Sequence, residues 1–185
     1  MEIIRYYAGI GARDTPPFIL ETMKSLAEYL YTEGWILRSG GAGGADLAFE
    51  AGCGSDDKKE IYLPWKGFNN SSSKRYKIGD DALLLASEFH PYWGNLKRSH
   101  RLLQARNGYQ VLGENLNTFS DLVICYTKNG TVRGGTGQAL RIANSSKYNI
   151  PVLNLGNPNL NLDIKSLKEE IDRLVLKQDA IPRLI

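Results

Sequence analysis

Two hydrophobic rhythms alternate along the chain. Short apolar runs bounded by glycine or proline are followed by stretches whose apolar residues return at helical spacing. The first run, residues 3–10, ends in Gly9-Ile10-Gly11 and predicts a strand. Ala12-Arg13-Asp14-Thr15-Pro16-Pro17 follows, where Asp14 or Thr15 can cap a helix and a proline fits its first turn. Ile19, Met23, Leu26, Ala27 and Leu30 then recur as one helical face, predicting a helix over 17–32 that Gly34 ends. A second strand is expected at 35–39. It opens onto Gly40-Gly41-Ala42-Gly43-Gly44-Ala45-Asp46 and a helix over 45–51.

The same alternation continues beyond a third short strand at 61–64. Residues 66–79 are rich in Asn, Ser and Lys and read as a loop or insertion, the least ordered part of the chain. Helices are expected at 82–88 and 96–112, a strand at 121–127, a glycine turn at 130–137 and a helix at 138–147. A last core strand at 151–155 and an amphipathic helix at 164–176 complete the pattern. Strands alternating with helices predict an α/β fold, a Rossmann-like parallel sheet with helices on both faces, in a single domain over 1–185.

That topology gives the glycines a shared place. Gly9-Ile10-Gly11-Ala12-Arg13, Ser39 to Asp46, and Thr131-Val132-Arg133-Gly134-Gly135-Thr136-Gly137-Gln138 are all strand-to-helix turns. In a parallel sheet they lie on one edge, where ligands bind. Glycine lets a ligand approach the backbone closely, and each following helix offers free N–H groups and a partial positive charge. Together they describe an anion site. No Gly-Lys-Ser/Thr follows any of them, and the spacing departs from the dinucleotide fingerprint, which disfavours an ATPase or a standard NAD dehydrogenase.

At these residues the chain resembles the SLOG superfamily, which includes DprA proteins, LOG nucleotide phosphoribohydrolases and YspA-related proteins of bacteria and phages. Gly9 to Arg13 is similar to the opening turn of DprA, and Ser39 to Asp46 to the Gly-Gly-Ala-x-Gly-Ala-Asp turn of the YspA-like group. Leu63-Pro64-Trp65 and Ala105-Arg106-Asn107 also resemble YspA-type segments. Gly134 to Gln138 resembles the Pro-Gly-Gly-x-Gly-Thr segment of LOG enzymes. The likeness runs from about Tyr7 to Leu155. It implies a pocket for a nucleoside phosphate or an ADP-ribose-like molecule, in a protein that senses or sequesters a nucleotide signal. One departure matters: LOG enzymes place a glutamate three residues after the Thr of that motif. Here those two positions hold Gln138 and Arg141, so the residue that assists glycosidic cleavage is missing from its place.

The ligand-binding candidates are therefore Gly9, Gly11, Ala12, Arg13, Ser39, Gly40, Gly41, Gly43, Gly44, Asp46, Arg106, Asn107, Gly134, Gly135, Thr136, Gly137 and Gln138. Arg13 can hold a phosphate in bidentate fashion, against the plain reading of a surface arginine. Asp46 suits a ribose hydroxyl or a helix cap. Glu50 lies one helical turn beyond Asp46. If the protein is an enzyme, an N-glycosidase, this carboxylate pair is its catalytic candidate; a solvated helix face is the competing reading. Arg106 and Asn107 suit a phosphate and a base or ribose, or form a surface pair. Gln138 reads a base or phosphate oxygen, or bonds its own backbone. Trp65 and Trp93 can stack on a base or pack in the core.

Composition narrows the partners. Hydrophobic residues make up 42% of 185 residues, enough for a real core, so a disordered chain is excluded. A net charge of +3 and a pI near 8.8 permit phosphate-bearing partners but fall short of the basic stripe of a dedicated DNA binder. Single-stranded DNA is thus a lesser alternative to a nucleotide-like small molecule, and a homo-oligomer stays open. His90 and His100 lack the supporting spacing of a metal site, and no cofactor is implied. Cys53 and Cys125 form no disulfide framework or zinc set. With neither a signal-peptide pattern nor a membrane-length apolar run, a reducing, cytoplasmic setting without membrane contact is expected.

Overall fold

The computed structural model describes residues 4–180. Five strands, β1 (Tyr6–Gly11), β2 (Ile36–Ser39), β3 (Lys59–Ile61), β4 (Leu122–Tyr126) and β5 (Val152–Asn154), form one parallel sheet in the order β3-β2-β1-β4-β5. Six helices accompany them: α1 (Pro17–Thr32), α2 (Ala45–Gly52), α3 (Asp80–Phe89), α4 (Arg98–Leu112), α5 (Gly134–Ala143) and α6 (Ile164–Asp179).

Strand alternation sorts the core into two layers. Tyr7, Leu37, Leu122 and Ile124 pack against α1, α2 and α6 through Ile19, Met23, Leu26, Phe49, Leu167 and Ile171. Ala8, Ile10, Val123 and Cys125 point to the opposite face, onto Leu85, Val111, Leu112, Leu140 and Ile142 of α3, α4 and α5. A strand buried on both faces reads as a continuous apolar run, which is why β1 and β4 were legible. The α/β architecture with helices on both faces is the one the alternation predicts. Cys53 and Cys125 are buried free thiols.

Local differences have local causes. Ile3, the first residue of the predicted opening strand, lies outside the described residues; the described strand starts at Tyr6. Neither Asp14 nor Thr15 caps α1: Pro16 holds the cap position without a side-chain bond, and Thr15 Oγ1 donates to the Ala12 carbonyl at 2.7 Å. Strand β3 begins two residues before the predicted run. It is an edge strand whose Lys59 and Glu60 are only half-buried, so it carries no apolar signature. Helix α5 begins at Gly134 rather than Gln138, so the glycine run is the helix's first turn, and Gly134 enters it at a φ of +64°, which glycine adopts cheaply. The loop 66–79 is no loose excursion. Phe68 is buried, Leu63 N–H donates to the Arg75 carbonyl at 2.7 Å, and Asn69 Nδ2 donates to the Gly41 carbonyl at 2.9 Å.

Candidate functional site

From β1 the chain steps outward to β2 and β3, then crosses back to β4 and β5. The loops leaving β1 and β4 therefore part at the boundary between two neighbouring strands and open a crevice beyond their carboxyl ends. A cleft of about 960 Å³ occupies that place. Gly11, Ala12 and Arg13 line it from the β1 loop, and Thr127 to Asn129 with Thr131 and Arg133 to Thr136 from the β4 loop and the start of α5. Helix α4 supplies Leu103, Gln104, Arg106, Asn107 and Gln110, and the second glycine loop and α2 supply only Ala42 and Asp46.

The start of α5 is the part built for an anion. Its first backbone bond of the ladder runs from Gly137 N–H to the Arg133 carbonyl at 2.9 Å. The N–H groups of Gly134, Gly135 and Thr136 precede that bond and have no intrahelical acceptor. A Cβ placed on Gly134 or Gly135 would meet no atom within 4 Å, so the Cα side of this turn is open. Asn107 Nδ2 donates to the Gly135 carbonyl at 2.9 Å and fixes this turn to α4. Arg13, Lys128, Arg133 and Arg106 line the cleft with a single carboxylate, Asp46. Helix dipole and side-chain charge thus have the same sign here.

The second glycine loop has a different use. Asp46 Oδ2 accepts from Ala42 N–H at 3.2 Å, and Glu50 Oε1 accepts from Gly41 N–H at 3.1 Å and from Ser39 Oγ at 2.9 Å. Both carboxylates of α2 reach back over the preceding turn and hold the loop's own N–H groups. Arg106 Nη1 stands 3.5 Å from Asp46 Oδ2, both side chains being buried. A Cβ on Gly40 would lie 1.2 Å from that same Nη1, so glycine is required for the guanidinium to fit. Burial raises the Asp46 pKa, opposed by Arg106 and by the Ala42 and Gly40 N–H groups. Burial also lowers that of Arg106, against the pull of Asp46. Glu50 is pushed up to about 7, first by burial and then by the charge of Asp46, with Ser39 and Gly41 opposing.

Of the candidates named from sequence, the cleft gathers Gly11, Ala12, Arg13, Asp46, Arg106, Asn107, Gly134, Gly135 and Thr136. The others lie elsewhere. Gly9 sits inside β1, where a Cβ would be 2.6 Å from Phe49 Cγ; it serves packing. Ser39, Gly40 and Gly41 belong to the carboxylate-braced turn. Gly43 and Gly44 are outside the cleft lining, and Gly44 lets α2 approach the Arg13 carbonyl. Gly137 is in the α5 ladder. Gln138 is fully buried: the early start of α5 places it in the second turn, where Nε2 donates to the Ala86 carbonyl. Arg141 donates to the Phe89 carbonyl and to Gln138 Oε1, tying α5 to the end of α3 rather than facing a ligand. Glu50 opens onto a separate groove beside Lys59 and Ser71, so the two carboxylates do not face one site. Trp65 and Trp93 are outside the lining; Trp65 packs edge-on against Phe68, which lies between Arg13 and Arg106.

Sequence reasoning missed Gln104, Gln110, Lys128 and Arg133. A signal for the α4 pair existed: Gln104, Arg106, Asn107 and Gln110 recur at three- and four-residue steps, a polar stripe on a helix whose second half is buried.

Fold and cleft together define a Rossmann-like α/β protein with a cationic crevice at its topological switch point. In fold, the chain is similar to DNA processing protein A from Helicobacter pylori, a structure described for its single-stranded DNA binding. The TM-score is 0.54 at 20% identity, over 92% of this chain and 73% of that one. It is also similar to the molybdenum cofactor carrier protein of Chlamydomonas reinhardtii, with a TM-score of 0.53 at 18% identity, over 93% of this chain and 99% of that one. No protein-family model matches the sequence, and no curated protein matches it. Among the described residues, no helix is long and apolar enough to cross a membrane.

Proposed function

We propose that this is a SLOG-type protein that binds a nucleotide-derived ligand, a nucleoside phosphate or an ADP-ribose-like molecule, in the cleft between the β1 and β4 loops. The observation that carries the reading is the α5 start, where the N–H groups of Gly134, Gly135 and Thr136 precede the helical ladder in a cleft lined by Arg13, Lys128 and Arg133. The phosphate lies there and the rest of the ligand extends along α4. The likeness in fold to a protein named as a cofactor carrier and to one described for its single-stranded DNA binding supports a ligand-binding role. Binding rather than cleavage is favoured by the carboxylates. Glycoside hydrolysis uses a pair flanking the scissile bond, and among the described residues the cleft holds Asp46 alone, already paired with Arg106.

Titration calorimetry with AMP, ADP and ADP-ribose at low salt tests this. Binding is expected to weaken as salt rises, and Arg133→Gln to lower affinity by about tenfold, the scale of one lost charge-assisted contact. Absence of binding to all three compounds would remove the reading. Tighter binding of a short deoxyoligonucleotide than of any of them would favour single-stranded DNA instead.

A further inference from the structure

The α4 wall of the cleft carries polar atoms that the fold leaves without partners. Arg106 Nε and Gln110 Nε2 are buried donors and Gln104 Oε1 a buried acceptor, and none has a hydrogen bond within the protein. All three residues line the cleft. Gln110 is 2% exposed and Arg106 6%, so bulk water does not serve them. Ala105, Val111 and Leu112 of the same helix are packed in the core, which fixes the direction of this polar stripe. An amide N–H kept dry and unbonded is a cost that a fold retains only where something else supplies the acceptor.

The unbonded groups are not where the anion-holding groups are. The latter sit on the loops after β1 and β4; the former are on α4, beside the apolar surfaces of Ile10, Leu103 and Ala139. A ligand that satisfies both has a charged end and a flat, neutral end with hydrogen-bonding edges. A primary amide presents a donor and an acceptor side by side, which matches the edge of a nucleobase, and apolar side chains suit the faces of its ring. We propose that Gln110, with Gln104 beside it, is the specificity-determining group that reads a nucleobase edge. The inference rests on the nucleotide reading of the cleft and adds that the base, not only the phosphate, is recognised.

The test compares AMP, GMP, CMP and UMP with ribose 5-phosphate and inorganic pyrophosphate by calorimetry. The best nucleoside monophosphate is expected to bind about tenfold or more tighter than ribose 5-phosphate, the scale of one good bidentate base contact. Gln110→Leu should bring that ratio to within about threefold while the ribose 5-phosphate affinity stays unchanged, because only the base contact is removed. Gln110→Met, unbranched and of the same length, carries the same comparison should the leucine variant fail to fold. A ratio near one in the unaltered protein overturns the inference alone. So does a ratio that survives in a folded variant, or an equal loss for nucleotide and sugar phosphate, which marks a structural role. If none of the six compounds binds, the nucleotide reading of the cleft falls and this inference with it.

Discussion

At the scale of single residues, Glu50 couples the second glycine loop to pH. Its carboxyl accepts from Ser39 and Gly41 in a partly buried site, and its pKa rises from the usual 4.5 to about 7. A carboxyl whose pKa is raised on folding binds more protons in the native state than in the unfolded one between those two values. Stability from this group is therefore full below about pH 4.5 and declines as pH rises through 7, by roughly 3 kcal/mol in all. Glu50→Gln keeps a carbonyl for both donors and removes the titration. The variant is expected to melt at the same temperature as the unaltered protein near pH 5 and clearly above it at pH 8. Thermal denaturation of both proteins across that range checks it; a difference independent of pH would show that Glu50 does not titrate there. None of this was legible from the sequence, where Asp46 and Glu50, one turn apart, read either as a pair facing one site or as a solvated helix face. Side chains on a helix lean toward its N-terminus, so these two lie back over Gly40 to Ala42 and brace the turn.

At the scale of elements, an apolar stripe made the helices legible: α6 starts at Ile164 as expected and runs three residues past its expected end. Helix α1 spans Pro17–Thr32 as its stripe from Ile19 to Leu30 predicts. The start of α5 was not legible, since a run of glycines reads as a turn until a helix N-terminus is seen to need one at positive φ. That difference decides which glycines matter. Gly135 lines the cleft, has an ordinary φ and faces open space, while Gly43 faces open space outside the cleft. Gly135→Val should fold with a stability change within about 1 kcal/mol, because glycine and valine differ by less than that in helical preference. Its side chain would then stand where the phosphate lies, lowering nucleotide affinity by at least about tenfold. Gly43→Val should leave affinity within about twofold, as no ligand contact is lost. Calorimetry on both folded variants decides: equal behaviour of the two would mean that the α5 start is not the phosphate site.

At the scale of the whole molecule, alternating strands and helices made the edge of the sheet predictable, and with it the meeting of the β1 and β4 loops. Which chemistry that edge performs depends on the side chains that the topology delivers there. Four cations and one carboxylate line the cleft, and the carboxylate, Asp46, is buried against Arg106 and bonded to Ala42 N–H. A glycosidic bond breaks through an oxocarbenium-like centre that a nearby carboxylate stabilises, with a second carboxyl group to protonate the leaving group or activate water. Glu50 opens onto another groove, and Arg141 is spent on the Phe89 carbonyl. Among the described residues the cleft lining sets four cations beside one carboxylate, and on the proposed reading that balance favours holding a phosphate over cutting beside it. Incubation of the purified protein with nucleoside monophosphates and ADP-ribose is expected to return them intact, with chromatography finding no free base and no ribose 5-phosphate above the protein-free control. Steady release that disappears in a folded Asp46→Asn variant would make Asp46 a catalytic residue and the protein a hydrolase. Release that persists in that variant and stays with the protein through purification would place the catalytic group elsewhere in the chain and overturn the binding reading, and retention without turnover is the behaviour of a nucleotide-holding protein.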